Sequence, residues 1–357
     1  MARLGDVCTK GTSNIAQKDL EGHGGNYPIY GASGFLANVD FYQQENPYIA
    51  VVKDGAGIGR IMKLPAKSSV IGTMQYIIPN DTVDISYLAY AMEHMNLSKY
   101  FTGATIPHIY FKDYQKEELP LPSLDEQRKI AAVLDKVSDL IAKRRQQLDK
   151  LDLLIKARFV EMFDLSACTY GMLSDNTEFV DYRGHTPTLS DDGNIRMVNA
   201  KSVGKGVFKY VEEYVTEKTY DSWMHRGFGY PSDVLFVTEG HTFGNACQVP
   251  QGLTKFALGQ RVITIQGHRG IINNAFLCAY MQTDKFIKDI AMYKTGGTAQ
   301  GIRSKDLGKV KVPLYPYGQQ ETFEKFVDQT EKTKTTISRS LEKLETLKKA
   351  LMQECFG

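Results

Sequence analysis

The feature that most constrains this chain is that much of it is written twice. Residues 100–163 align with residues 293–356 at a constant offset of 193 with no gap, and about 20 of the 64 positions are identical, against roughly 4 expected from composition alone. The identities include Thr102/Thr295, Gly103/Gly296, Thr105/Thr298, Ile109/Ile302, Lys112/Lys305, Asp113/Asp306, Gln127/Gln320, Leu148/Leu341, Leu151/Leu344, Leu154/Leu347 and Phe163/Phe356. Upstream the echo is fainter and needs small gaps. Tyr87-Leu88-Ala89-Tyr90-Ala91-Met92 answers Phe276-Leu277-Cys278-Ala279-Tyr280-Met281, and Asp54-Gly55 with Ile58-Gly59 answers Glu239-Gly240 with Phe243-Gly244. Each half therefore has a divergent front and a better-preserved back.

The back of each half predicts a long helix. Ser123-Leu124-Asp125-Glu126 has the form of a capping box, in which the serine accepts from the third amide and the glutamate reaches back. Pro120 and Pro122 keep the preceding chain extended, and no Gly or Pro follows until after Phe163. Ile130, Leu134, Val137, Ile141, Leu148, Leu151 and Ile155 fall at spacings of three and four or their multiples, the pattern of a coiled-coil seam. The second copy, from about Gly318 to Cys355, carries Phe323, Val327, Ile337, Leu341, Leu344 and Leu351 on the same seam. Lys334 and Lys348 interrupt that stripe and predict less uniform packing. About 40 residues at 1.5 Å each give rods of roughly 60 Å. Two such rods separated by a domain of about 150 residues are expected to pack on each other antiparallel. The run Lys143-Arg144-Arg145 is read as a solvated face of the first rod.

The fronts, 1–122 and 165–316, contain short β-rich runs: Tyr48-Ile49-Ala50-Val51-Val52, Tyr76-Ile77-Ile78, Val234-Leu235-Phe236-Val237 and Arg261-Val262-Ile263-Thr264-Ile265. Turn residues separate them, and each front has one helical stretch, over 87–100 or 275–292. The expected fold class is α+β: two α/β heads with short strands (1–122 and 165–316), each followed by a long helix (123–164 and 317–357), with an internal pseudo-twofold repeat and the helices forming an antiparallel coiled coil.

Composition narrows the function classes. With 42% hydrophobic and 24% charged residues, the chain can build real cores, and disorder does not dominate. No run of about 18 apolar residues exists to span a membrane, and Met1-Ala2-Arg3-Leu4-Gly5-Asp6 has no apolar signal region. Five scattered cysteines with no CxxC pair suit reduced thiols in a cytosol. The net charge of +2 implies that any contact with nucleic acid is local or shared with a partner. Gly55-Ala56-Gly57-Ile58-Gly59 follows a strand-like run, but Arg60-Ile61-Met62-Lys63-Leu64-Pro65 then alternates like a strand. A dinucleotide loop needs a helix there to hold the pyrophosphate, so a tight loop between strands is expected. The seven histidines show no metal-ligand spacing. No nucleophile elbow, Walker loop or nuclease spacing occurs, and no Pro-Pro dipeptide of the kind used by adenine methyltransferases. Together these argue against an enzyme.

The most informative local features are the paired loops Thr102-Gly103-Ala104-Thr105-Ile106-Pro107-His108-Ile109 and Thr295-Gly296-Gly297-Thr298-Ala299-Gln300-Gly301-Ile302. Each runs into a basic segment, Tyr110-Phe111-Lys112-Asp113 or Arg303-Ser304-Lys305-Asp306. Small residues permit close backbone approach, and Thr, His, Gln, Tyr, Arg and Lys are side chains that meet base edges and phosphates. The candidate DNA-binding residues are Lys53, Arg60, Thr105, His108, Tyr110 and Lys112 in the first half. In the second they are Lys201, His241, Lys294, Thr298, Gln300, Arg303 and Lys305.

The arrangement of variable head, long helix, variable head, long helix resembles the specificity subunit of Type I restriction–modification systems. The resemblance rests on the junction Leu119-Pro120-Leu121-Pro122-Ser123-Leu124-Asp125-Glu126-Gln127-Arg128-Lys129-Ile130-Ala131, the segment Tyr27-Pro28-Ile29-Tyr30-Gly31-Ala32-Ser33-Gly34, the Thr-Gly loops and the duplication. The second junction, Val312-Pro313-Leu314-Tyr315-Pro316-Tyr317-Gly318-Gln319-Gln320, lacks the Asp-Glu pair. The resemblance implies a cytoplasmic, non-catalytic chain whose heads each read half of a split, asymmetric site on double-stranded DNA. It also implies two modification subunits that use S-adenosylmethionine on adenine N6, and restriction subunits that use ATP and Mg. None of these cofactors is expected on this chain. A recognition subunit of a Type II-like enzyme and a coiled-coil protein scaffold are the alternatives.

Overall fold

The computed structural model describes residues 1–103, 106–182, 186–295 and 300–357. The chain divides into two compact units, 1–146 with 338–357, and 147–337. The long helices span Leu124–Met162 and Tyr317–Phe356, so each unit holds one head, the start of one long helix and the end of the other.

In the first unit, β1 (Ala2–Arg3) pairs with β9 (Glu118–Leu119) and closes the head just before its helix departs. A four-stranded antiparallel sheet has the order β2 (Cys8–Thr12), β8 (Met74–Pro79), β5 (Tyr48–Val52), β6 (Ile61–Leu64). A smaller sheet has the order β4 (Gly34–Val39), β3 (Gly24–Gly31), β7 (Ser69–Val70), with β3 and β7 parallel. All five residues of β5 are buried, because both of its faces are covered. Ile49 and Val51 pack among Tyr87 and Leu88 of the helix Ile85–His94. Tyr48, Ala50 and Val52 pack on the other face among Val70 and Tyr76. A central strand covered on both sides reads as a continuous apolar run rather than an alternating one, and each of its Val and Ile side chains contributes about 1.5–3 kcal/mol on burial.

The second unit repeats this plan strand for strand. β10 (Thr169–Met172) pairs with β18 (Lys311–Leu314). The larger sheet has the order β11 (Thr177–Asp181), β17 (Val262–Gly267), β14 (Val234–Val237), β15 (Ala246–Gln248). The smaller has the order β13 (Tyr214–Val215), β12 (Ile195–Val198), β16 (Phe256–Leu258), again with one parallel pair. Val234 and Phe236 face Phe276 and Leu277, while Leu235 and Val237 face Phe256 and Leu258. The fronts are thus as duplicated as the backs, although their sequences have drifted. Two expectations need correction: the helical stretch over 87–100 is the helix Ile85–His94 and a separate single turn, Leu97–Tyr100, parted by Asn96 at φ 50°, and the stretch over 275–292 is two helices, Asn274–Tyr280 and Asp284–Ala291. Thr283 breaks it by capping the second one, its Oγ1 accepting from the Phe286 amide at 3.3 Å.

Within each unit the two long helices run antiparallel. In the first, Leu134 packs with Met352 and Arg145 lies 2.7 Å from Glu345, so one number rises as the other falls. In the second, Asp152 meets Lys334 at 2.7 Å and the Phe159 and Phe323 rings lie 5.6 Å apart. Leu134, Val137, Ile141, Phe323 and Val327 are buried, and Ile130, Leu148, Leu151, Ile155, Ile337, Leu341, Leu344 and Leu351 are half-buried. The seam lysines are each met by carboxylate. Lys334 is 2.7 Å from both Asp152 and Glu331, and Lys348 is 2.9 Å from Glu93 and over the Tyr90 ring. Burial alone would lower the Lys334 pKa, but its two carboxylates outweigh that and hold it above the ordinary lysine value. At the first helix start, Ser123 Oγ accepts from the Glu126 amide at 3.4 Å, while the Glu126 carboxylate lies 3.5 Å from Lys129 rather than completing a capping box.

The repeated phenylalanines end each long helix against a head. Phe356 packs on Tyr87 with ring centroids 5.1 Å apart, and Phe163 packs on Phe276 at 4.6 Å. Tyr87 and Phe276 are the matching positions of the two head helices noted in the sequence.

Candidate DNA interface

Two motifs that the sequence shows apart are brought together in each head. In the first, the glycine loop over 53–60 joins antiparallel β5 and β6, a tight loop between strands. Gly55 and Gly59 hold φ of 91° and 80°, the left-handed region that glycine enters without steric cost. The Thr-Gly loop lies against the start of this hairpin. The Gly55 amide donates to Pro107 O at 3.0 Å, and the Ile109 amide donates to Lys53 O at 2.9 Å. Thr102 and His108 exchange backbone hydrogen bonds of 2.8 Å and close the loop on itself.

The second head builds the same frame with other residues. Gly240 and Gly244 hold φ of 97° and 83°. The Gly240 amide donates to Gln300 O at 3.0 Å, the Ile302 amide donates to Thr238 O at 2.9 Å, and Thr295 pairs with Gly301. Main-chain hydrogen bonds, joined in each head by the threonine hydroxyl of Thr102 or Thr295 donating to the closing carbonyl, define this frame among the described residues, so most other side chains on it are free to change.

The side chains differ. In the first head Asp54 is the hub: His108 Nδ1 lies 2.7 Å from one of its oxygens and Lys53 Nζ 2.5 Å from the other. The His108 ring stacks on Tyr110, with planes 24° apart, and Lys112 Nζ stands 5.5 Å over the Tyr110 ring. Tyr110 is half exposed. This places a flat aromatic face and an ammonium, held by a cation–π contact, on the open side of the loop. Arg60 is exposed at the foot of the hairpin and donates to Ala32 O at 2.7 Å, so it also anchors the β3–β4 turn. In the second head Glu239 turns to Arg261 Nε at 3.1 Å. Lys294 donates to Gln300 Oε1 at 2.8 Å and lies over the Phe243 ring at 5.2 Å. His241 is exposed at the hairpin tip. Arg303 and Lys305 are exposed where the short helix Ser304–Gly308 begins, the place that Tyr110 and Lys112 occupy beside Phe111–Tyr114.

Lys53, His108, Tyr110 and Lys112 therefore form one group, and Lys294 with Gln300 forms another beside His241. Lys201 is committed elsewhere, in the turn Ala200–Ser202 with its ammonium 2.5 Å from Glu213. Thr105 and Thr298 lie outside the described residues, as does His185. The sequence reading missed Asp54, Glu239 and Arg261 as organisers of these loops. It also missed Arg196, whose guanidinium lies 5.2 Å from the Tyr210 ring and 4.9 Å from that of Tyr214. Among the described residues no cluster of His, Cys, Asp or Glu is placed to hold a metal ion, and no helix is long and apolar enough to cross a membrane.

The model of the Type I restriction modification DNA specificity domain matches residues 1–152 and 178–346. The chain is 22% identical, over 392 aligned positions, to the Type I restriction enzyme MjaVIII specificity subunit of Methanocaldococcus jannaschii, covering 99% of this chain and 90% of that one. It is 34% identical to the MjaIX specificity subunit of the same organism over 91 residues, 24% of this chain and 21% of that one. In fold it is similar to the crystal structure of the Type I restriction–modification S subunit from M. genitalium. The TM-score is 0.63 at 15% identity, over 100% of this chain and 95% of that one.

Proposed function

The chain belongs to the Type I restriction–modification DNA specificity family, and from that premise we propose that its two heads read the two halves of one asymmetric, bipartite site on duplex DNA. The observation that carries this reading is the composite of hairpin and Thr-Gly loop, built on the same backbone frame in both heads but dressed with different side chains. A frame held by main-chain hydrogen bonds lets base-contacting residues vary without loss of the fold, as a family of sequence readers requires. Tyr110, Lys112 and His108 would read one half-site, and Arg303, Lys305, Gln300 and His241 the other. Because these sets differ, the full site would not be palindromic.

In this reading the antiparallel helices act as a coiled-coil spacer, and the chain performs no chemistry. Two modification subunits with S-adenosylmethionine would methylate adenine N6, one at each half-site. Restriction subunits with ATP and Mg would translocate and cleave. The test is a head exchange: residues 165–316 are replaced by the equivalent head of another specificity subunit, and the hybrid is co-expressed with the modification subunits. Mapping of methylated adenines should show one half-site changed and the other kept. A change in both halves, or none, sinks the proposal.

A further inference from the structure

At the same place in each repeat, a fully buried glutamine joins the head to the long helix that leaves it. Gln127 and Gln320 have no exposed surface. Gln127 Oε1 accepts from the Asp84 amide at 2.8 Å, and its Nε2 donates to Thr82 O at 3.1 Å and Pro122 O at 2.9 Å. Gln320 Oε1 accepts from the Asn273 amide at 2.9 Å, and its Nε2 donates to Ile271 O at 2.9 Å and Tyr315 O at 2.8 Å. Asp84 and Asn273 are themselves the N-caps of the head helices, each accepting from two amides of the first turn. One side chain in the long helix thus holds the cap of the head helix, the turn before it and the linker into the rod.

We infer that Gln127 and Gln320 are positioning residues for spacer-length specificity: they fix each head's angle on its rod and thereby the distance between half-sites that the chain accepts. This rests on the bipartite reading above. Apolar contact at such a joint would let the head slide, since hydrophobic attraction has no preferred direction. Three hydrogen bonds from one buried amide do have direction, and each partner is backbone that cannot rotate away. The tolerance needed is tight. Each added base pair moves the second half-site by about 3.4 Å and turns it by about 35°, so a head that rocks by a fraction of that would accept a neighbouring spacer. That the same three-bond clamp occurs in both heads, whose reading loops have diverged, argues that it serves a property common to both halves.

The experiment compares methylated-adenine maps from cells co-expressing the full chain and its modification subunits, with the wild type, Gln127→Met or Gln320→Met. Methionine keeps the length and bulk of the side chain while removing all three bonds. The wild type should methylate its motif at one spacer length. The variants should keep both half-site sequences, while methylation at spacers one base pair longer or shorter rises about fivefold to tenfold relative to the preferred one, as restraint from a few buried hydrogen bonds is lost. A uniform fall in methylation with an unchanged spacer profile would mean the glutamines only stabilise the fold and would overturn the inference. Should either methionine variant fail to accumulate, Gln127→Asn or Gln320→Asn decides. Asparagine keeps a polar amide but is one methylene shorter and cannot reach all three partners, so it should broaden the spacer profile by a smaller factor; an unchanged profile overturns the inference. A wild type that methylates no bipartite motif would instead refute the proposed function itself.

Discussion

The two heads begin their glycine hairpins with acids that differ by one methylene, and the acids turn in different directions. Asp54 is short and faces across to His108 and Lys53, so it ties the hairpin to the Thr-Gly loop through side chains as well as backbone. Glu239 is longer and reaches Arg261 beside β17 instead, and at the position of His108 the second head has Gly301. There, among the described residues, main-chain bonds tie the loop to the hairpin, and the side-chain bonds lie within the loop segment itself, from Lys294 to Gln300 and from Thr295 to Gly301 O. The difference teaches that the backbone ladder is the common device and the side-chain hub an addition of the first head. The first head should therefore depend more on specific side chains near its loop, and the second should tolerate more.

The sharpest way to break that comparison is at matched glycines. Gly59 and Gly244 occupy the same place in the two hairpins with φ near +80°. A Cβ on Gly59 would lie 2.6 Å from the Ser98 amide nitrogen, which is backbone. A Cβ on Gly244 would meet only the flexible end of Ile290, at 3.1 Å. Both alanine variants carry the left-handed penalty of about 1–2 kcal/mol, but only Gly59→Ala adds a clash with immovable chain. Thermal unfolding should show Gly59→Ala destabilised by about 3 kcal/mol and Gly244→Ala by about 1–2 kcal/mol. Equal losses would mean that the hairpin surroundings are not distinguished in the way the structure indicates.

The proposed reading surfaces give the next contrast. Tyr110→Ala should weaken binding to duplexes varied in one half-site by about tenfold, and Arg303→Ala should do so for the other, since one good base or stacking contact contributes about 1–3 kcal/mol. Competition titrations with duplexes mutated in one half at a time separate the two. If either variant weakened both halves alike, its side chain would be serving the backbone or the phosphates rather than one half-site.

Much of this was legible in the sequence, and the remainder has physical reasons for being hidden. The rods were readable because a seam of threes and fours without Gly or Pro has few other solutions. The glycine hairpin was readable because Arg60 to Pro65 alternates. The match between the fronts showed only as a faint echo, and its strand-for-strand extent was hidden, since strand pairing depends on partners far along the chain, and the small sheets are built from pieces as short as Ser69–Val70 and Tyr214–Val215. Thr283 did carry a helix-start signal, standing in the polar run Gln282-Thr283-Asp284-Lys285 that interrupts the apolar stretch, but a single amphipathic helix can place such a run on its exposed face. Lys334 looked like a defect because its principal partner, Asp152, belongs to the other long helix. Gln127 and Gln320 stood among the identities of the repeat, but sequence does not say that a glutamine is buried.

The smallest expected difference between the heads is one of acid sensitivity. Glu117, next to the closing strand of the first head, has Lys99 at 2.5 Å and accepts from the Tyr100 hydroxyl. At the matching position of the repeat the second head has Val310, buried in its core. Burial pushes the Glu117 carboxyl up, but hydrogen bonds from Lys99 and Tyr100 outweigh it, and its pKa falls below the ordinary 4.5. The Tyr100 phenol is correspondingly pushed up to about 12, chiefly by its bond to Glu117. A carboxyl depressed in the folded state contributes stability that is present above pH 4.5 and is lost as the pH falls through the folded pKa. Solvent screening of a partly exposed pair keeps the size below about 1 kcal/mol. Glu117→Gln should therefore lower stability slightly at neutral pH and flatten the acid limb of the unfolding profile below pH 4.5. Hydrogen exchange resolved along the chain should place that change in residues 1–146, with exchange over 165–316 unmoved. A flattening shared by both heads would show that the acid limb belongs to other carboxylates.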